Sequence, residues 1–229
     1  MKKNKILTIG DSNASDIVGR SWPYFLSDKL EYELLNASSP GAGNSFYIEK
    51  LHAGLKEFNP DLVVIQLTQP TRITTGVSTL PDQTHSNEWN HPNVFRDFKC
   101  YTWNAYNNEY NLKTISGVDV KIDKFWTLEV STSKWVDYKV AQDIFTMNSL
   151  CEYFDAKVIF WSWFDPFENY FLDQYKWLKN KITWIDGCAL KFLKETNQTP
   201  LPDYHYGSKE HNFLVENWLY PQLLKKLCS

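Results

Sequence analysis

The sequence predicts an α/β domain whose parallel sheet is covered by helices on both faces. Three observations predict it. Segments with strand and helix patterns alternate as β-α-β-α-β over residues 5–66, and the alternation resumes after residue 134. The run Leu62-Val-Val-Ile65 is apolar throughout, as a strand buried on both faces must be. The chain has 229 residues, 43% of them hydrophobic, which suits one domain with a sizeable core.

The elements follow in order. Lys5-Ile-Leu-Thr-Ile9 is short and apolar and stops at Gly10, so it reads as the first strand. Ser21 to Leu30 reads as a helix, with Ser21 as N-cap and Pro23 in the first turn, where a missing N–H costs little. Glu31 to Leu35 is the second strand and runs into the Asn36–Gly43 loop. Ser45 to Glu57 is the second helix, with Phe46, Ile48, Leu51 and Leu55 along one face. Asn59-Pro60 ends it, and Asp61 to Gln66 is the third strand.

The later elements are a helix over Trp135–Phe154, a strand over Lys157–Trp161, a helix over Phe171–Asn180 and a short strand over Ile182–Ile185. Lys209 to Leu227 is an amphipathic closing helix with Phe213, Leu214, Trp218 and Leu223 on its core face and a kink expected at Pro221. Between the halves, Thr71 to about Lys134 is polar and aromatic without a clean period. It is too long for a structureless loop, so it reads as an insertion with structure of its own within one domain spanning 1–229.

Composition removes several function classes. The formal net charge is −3 and no basic run occurs, which argues against nucleic-acid partners and polybasic membrane attachment. No stretch approaches the ~20 apolar residues of a membrane span. The apolar run Ile6–Ile9 is too short for a signal-peptide core, so a cytosolic location is the default expectation. Cys100, Cys151, Cys188 and Cys228 are far apart and predict neither a disulfide network nor a Cys-x-x-Cys site. His85 and His91, near Asp82 and Glu88, match no zinc spacing, so neither metal nor cofactor is expected.

Two segments carry chemistry. Ser12 follows the first strand, at the carboxyl rim where ligands bind in doubly wound sheets. A serine hydroxyl needs a base to become a nucleophile. Asp203 and His205 stand together just before the closing helix, and parallel topology brings both loops to the same rim. A carboxylate there can orient an imidazole that takes the serine proton.

Ile9-Gly-Asp-Ser12, the Pro40-Gly-Ala-Gly-Asn44 loop and Asp203-Tyr-His205 resemble the first, glycine and last blocks of the SGNH (GDSL-type) hydrolases. The resemblance covers residues 5–69 and 157–227 and leaves the insertion aside. It implies a flavodoxin-like three-layer α/β/α sandwich that cleaves esters, including acetyl esters on sugars. It further implies Ser12 as nucleophile, His205 as base and Asp203 as the group that holds the imidazole. The backbone N–H groups of Ser12 and Gly41 would then face the oxyanion, each worth ~3 kcal/mol of barrier.

Two departures from the family pattern stand out. The third block supplies an asparagine in Gly-x-Asn-Asp, whereas this chain has Gln66-Leu-Thr-Gln69. Asn44, Thr68 or Gln69 would stand in, and Asn44 is favoured because its loop borders the implied oxyanion. The aspartate lies three residues before the histidine in the family but two before it here, so a serine–histidine dyad with a backbone carbonyl orienting the ring is the alternative. Arg72 reads as an ion-pair or anion-binding residue and Asp165 as a turn former before Pro166.

The sequence reading is therefore a serine esterase for a small acyl group on a small-molecule or carbohydrate alcohol. The alternatives are a catalytically weak glycan-binding or structural module on the same fold, or an O-acyltransferase working through the same acyl-enzyme. The sugar expectation rests on aromatic residues, 16% of the chain with 10 Trp, since flat rings serve cores, interfaces and sugar faces. The insertion starts at the rim that carries Ser12, so it is expected to form a wall over the site, lined from among Trp89, Trp103, Tyr106 and Trp126. Replacing residues 71–134 by a short linker tests this. A folded core with altered preference for bulky substrates is expected, and an unchanged preference speaks against the wall.

Overall fold

A computed structural model describes residues 3–16, 19–40, 42–68, 72–77, 99–104, 134–164, 174–202 and 205–228, with backbone alone for 72–77, 99–104 and 134–136. Five parallel strands form the main sheet: β1 (Lys5–Ile9), β2 (Glu33–Asn36), β3 (Leu62–Leu67), β6 (Lys157–Ser162) and β7 (Trp184–Cys188). Their order across the sheet is β2-β1-β3-β6-β7. This is the flavodoxin-like order, and the chain reverses its direction of travel between β1 and β3. A separate antiparallel pair, β4 (Arg72–Val77) and β5 (Lys99–Asn104), gives the insertion strands of its own.

Period-two alternation divides the strands between two cores. Leu7, Ile9, Val63, Ile65, Val158 and Phe160 face α2 (Asn44–Phe58) and α3 (Lys134–Tyr153). Ile6, Leu62, Val64, Ile159 and Trp161 face α1 (Trp22–Leu30), α5 (Ala189–Glu195) and the closing helix. The short α4 (Lys176–Lys179) adds Leu178 to the first core. Helices on both faces make three layers, as the sequence predicts. The second core is rich in tryptophan: Trp161 meets Trp22 at 5.1 Å, Trp218 at 5.7 Å and Trp163 at 6.0 Å between centroids.

Several boundaries differ from the sequence reading. Glu31 ends α1 in a left-handed conformation (φ 58°), so β2 begins at Glu33 rather than Glu31. Ser21 occupies the N-cap of α1, yet its hydroxyl donates to the Ala14 carbonyl at 2.8 Å instead of capping the helix. The helix expected over Phe171–Asn180 is helical at Lys176–Lys179 among the described residues, β7 starts at Trp184, and α5 was not foreseen.

The closing helix is α6 (Ser208–Leu214), a π-helical turn (Val215–Leu219) and α7 (Tyr220–Leu227). Pro221 has no N–H for the Asn217 carbonyl, and its ring would crowd that carbonyl in a regular helix. The wide turn absorbs the conflict that the sequence signals as a kink. Among the described residues Cys151, Cys188 and Cys228 form no disulfide, no helix is long and apolar enough to cross a membrane, and no cluster of His, Cys, Asp and Glu fits a metal ion.

The tryptophan cluster makes a direct prediction. Trp161 is fully buried among three other indoles. Trp161→Ala should cost about 3–5 kcal/mol of stability, measured by urea unfolding.

Candidate active site

β1 ends at Ile9, and the chain must turn sharply over the sheet edge. Gly10 permits this: a Cβ there would lie 2.6 Å from the Ala14 Cβ and 3.2 Å from the Gln66 side chain. The turn is helical, with the N–H groups of Ala14 and Ser15 donating to the Asp11 carbonyl at 3.0 and 3.2 Å. Ser12 sits within it, half-buried, and its carbonyl accepts from the Ser15 hydroxyl at 3.0 Å.

The Asp11 carboxylate is fully buried and organises what surrounds Ser12. Its Oδ1 accepts the Asn13 backbone N–H at 2.9 Å and the Asn13 amide at 3.1 Å, which caps the turn from inside. The same oxygen accepts from Gln66 Nε2 at 2.7 Å, and Oδ2 accepts from Thr68 Oγ1 at 2.9 Å. Each bond to a charged acceptor is worth roughly 1.5–3 kcal/mol. The carboxylate thus ties the turn after β1 to the end of β3, across the point where strand order reverses.

Asn44, the first residue of α2, is buried and grips Thr68 from the other side. Its Oδ1 accepts the Thr68 N–H at 3.1 Å and its Nδ2 donates to the Thr68 carbonyl at 3.2 Å. The loop leading to α2 runs beside the Ser12 turn, with Ser39 N–H donating to the Gly10 carbonyl at 3.0 Å. Gly41 lies in this loop but outside the described residues, as do Gln69, Asp203, the insertion aromatics Trp89, Tyr106 and Trp126 and the ring of Trp103. Arg72 opens β4, but its side chain lies outside the described residues, as does Asp165.

Thr68 and Asn44 therefore stand at the rim but work inward. Thr68 has one hydroxyl proton and gives it to Asp11. Asn44 commits one amide N–H to Thr68 and has a second. Sequence reasoning missed Gln66, although a polar side chain at the end of an apolar strand was the available signal.

The C-terminal loop reaches the same place. His205 is half-buried, and its carbonyl accepts the Leu201 N–H at 2.6 Å, which closes the loop before α6. Gly19, beyond the Ser12 turn, has φ 96°, and a Cβ on it would meet the Ser208 hydroxyl at 2.9 Å. Beneath the loop lies His211, fully buried, its ring 5.4 Å from that of Trp163. Burial pushes the His211 pKa down to about 4; the Tyr206 backbone pulls it up, His205 lowers it and the Asp11 charge raises it. His205 and Asp11 thus both act on one buried ring between the two loops.

Comparison with known proteins bears on the fold. No family's sequence pattern matches the chain, and no curated protein matches it. Solved structures do match. The psychrotrophic esterase EstA from Pseudoalteromonas sp. superposes with a TM-score of 0.57 at 15% identity, covering 99% of this chain and 100% of that one. A protein from Desulfitobacterium hafniense described as a lipolytic protein of the G-D-S-L family gives 0.53 at 15%, covering 96% and 99%. A catalytic mutant of an acetylxylan esterase from Geobacillus stearothermophilus gives 0.51 at 12%, covering 97% and 93%. The fold is that of the GDSL-type (SGNH) hydrolases.

His211 makes stability depend on pH. The unfolded chain binds its proton near pH 6.5, whereas the folded state resists it until about pH 4. Its contribution is complete above pH 6.5 and is lost as pH falls toward 4, by up to about 3 kcal/mol. Urea unfolding across this window should show a smaller loss for His211→Asn than for wild type. Parallel curves would mean the ring is not held neutral by burial.

Proposed function

We propose that the chain is a serine ester hydrolase acting on a small acyl group, with a carbohydrate alcohol as the favoured substrate class. The observation that carries this reading is the meeting of two loops at the β1/β3 rim. One carries Ser12 on a turn capped by Asp11, and the other carries His205, which together with Asp11 acts on the buried His211 ring. The fold shared with esterases supports the reaction class, and the acetylxylan esterase among the solved structures supports the sugar ester.

The chemistry follows from the residues. His205 takes the Ser12 hydroxyl proton as Oγ attacks the ester carbonyl. The oxyanion is held by the backbone N–H groups of Ser12 and Gly41 and by the second amide N–H of Asn44. Thr68 is the weaker side-chain candidate because its proton is committed to Asp11. Asp203, in the loop ahead of His205, steadies the imidazolium. His205 then returns the proton to the departing alcohol. Water, deprotonated by the same imidazole, releases the acid and restores Ser12. Each of these steps is assigned to side chains and backbone groups of the chain.

One observation favours a second reading. The threonine at the third-block position turns its hydroxyl inward, which suits a glycan-binding module with weak catalysis. A fluorophosphonate probe separates the two. The hydrolase reading expects stoichiometric label at Ser12 and turnover of p-nitrophenyl acetate that falls ~10³-fold or more in Ser12→Ala. It also expects activity to rise with pH, because a general base must be neutral to accept the serine proton. Equal turnover by wild type and Ser12→Ala removes the nucleophile. Glycan binding without label supports the module, and acyl products formed on an added sugar identify a transferase.

A further inference from the structure

We propose that Gln66 is a positioning residue for the nucleophile, acting through Asp11; this rests on the hydrolase reading of Ser12 and deepens it.

Gln66 is the last but one residue of β3 and is fully buried. Both ends of its amide are committed. Its Oε1 accepts the Trp22 indole N–H at 2.8 Å, and its Nε2 donates to Asp11 Oδ1 at 2.7 Å. An amide can flip end for end, but not here. Indole nitrogen only donates and carboxylate only accepts, so Trp22 on α1 selects the oxygen and leaves the N–H for Asp11. A flipped amide would oppose two donors on one side and two acceptors on the other.

The oxygen that Gln66 holds is the one that caps the Ser12 turn. Asp11 Oδ1 accepts from Gln66 and from the Asn13 backbone N–H together. The Gln66 side chain also closes the space beside Gly10, 3.2 Å from where a Cβ would stand. One side chain therefore fixes the hinge before Asp11, the carboxylate that follows it and the turn that aims Ser12. Thr68 holds the second carboxylate oxygen, so the end of β3 grips Asp11 at both. In this chain the end of β3 serves the nucleophile turn from below. The attack geometry depends on that grip, and small misplacements of a reacting atom are costly.

Two variants test this by Ser12 phosphonylation with a fluorophosphonate and by p-nitrophenyl acetate kinetics. Gln66→Leu removes both hydrogen bonds. It should slow phosphonylation and kcat by about 10- to 100-fold with little change in KM. Gln66→Glu keeps the shape and adds a titratable group. Protonated, the new carboxyl can donate to Asp11 and accept from Trp22, as the amide does. Ionised, it opposes a second carboxylate. The ratio of its phosphonylation rate to that of wild type should therefore fall as pH rises from 5 to 8. Wild-type rates in folded Gln66→Leu overturn the inference. Should that variant not fold, a pH-independent ratio for Gln66→Glu overturns it. Absence of label on wild-type Ser12 would instead refute the hydrolase reading, and this inference with it.

Discussion

A buried carboxylate holds the rim of this molecule together. Asp11 has lost contact with water, and an ion in that position is tolerable only where the protein supplies its hydrogen bonds. Among the described residues, Asn13, Gln66 and Thr68 donate to it. They come from two chain segments, the turn after β1 and the end of β3. Asn44 extends the arrangement to α2 by holding Thr68 at its backbone. Electrostatic necessity thus fixes geometry, because a displaced donor would leave part of the charge unanswered.

The sheet makes this meeting possible. Parallel strands place their carboxyl ends on one side, and the order β2-β1-β3-β6-β7 puts β1 and β3 side by side while their helices leave on opposite faces. The cleft between the departing helices is open at the strand ends. α1 and the closing helix, both on the second face, frame one side of it. The tryptophans of that face pack together behind it, and Trp22 also donates to Gln66.

Much of this was legible because local rules and the global fold agree. β1 and β3 are short apolar runs bounded by Gly10 and Pro60, and the burial of Leu7, Ile9, Val63 and Ile65 on one face follows from period two. Ser12 and His205 were visible as polar residues at element ends. The role of Gln66 was not legible, since its partners Asp11 and Trp22 lie 55 and 44 residues away. Thr68 illustrates the same limit: sequence places it at the rim, while only its partner decides which way its hydroxyl proton goes. The short α5 escaped notice because β7 and α5 follow one another without a loop, so strand and helix periods merge.

The π-helical turn at Val215–Leu219 also decides how the two ends of the closing helix are phased. Such a turn holds one residue more than regular winding requires, and in an α-helix one additional residue would rotate everything beyond it by about 100°. Here the rotation is taken up locally. His211 and Leu214 before the turn, and Leu223 after it, all remain in the buried layer. The closing helix therefore accommodates the additional residue without unseating either end, and the histidine loop ahead of it keeps its place against the core.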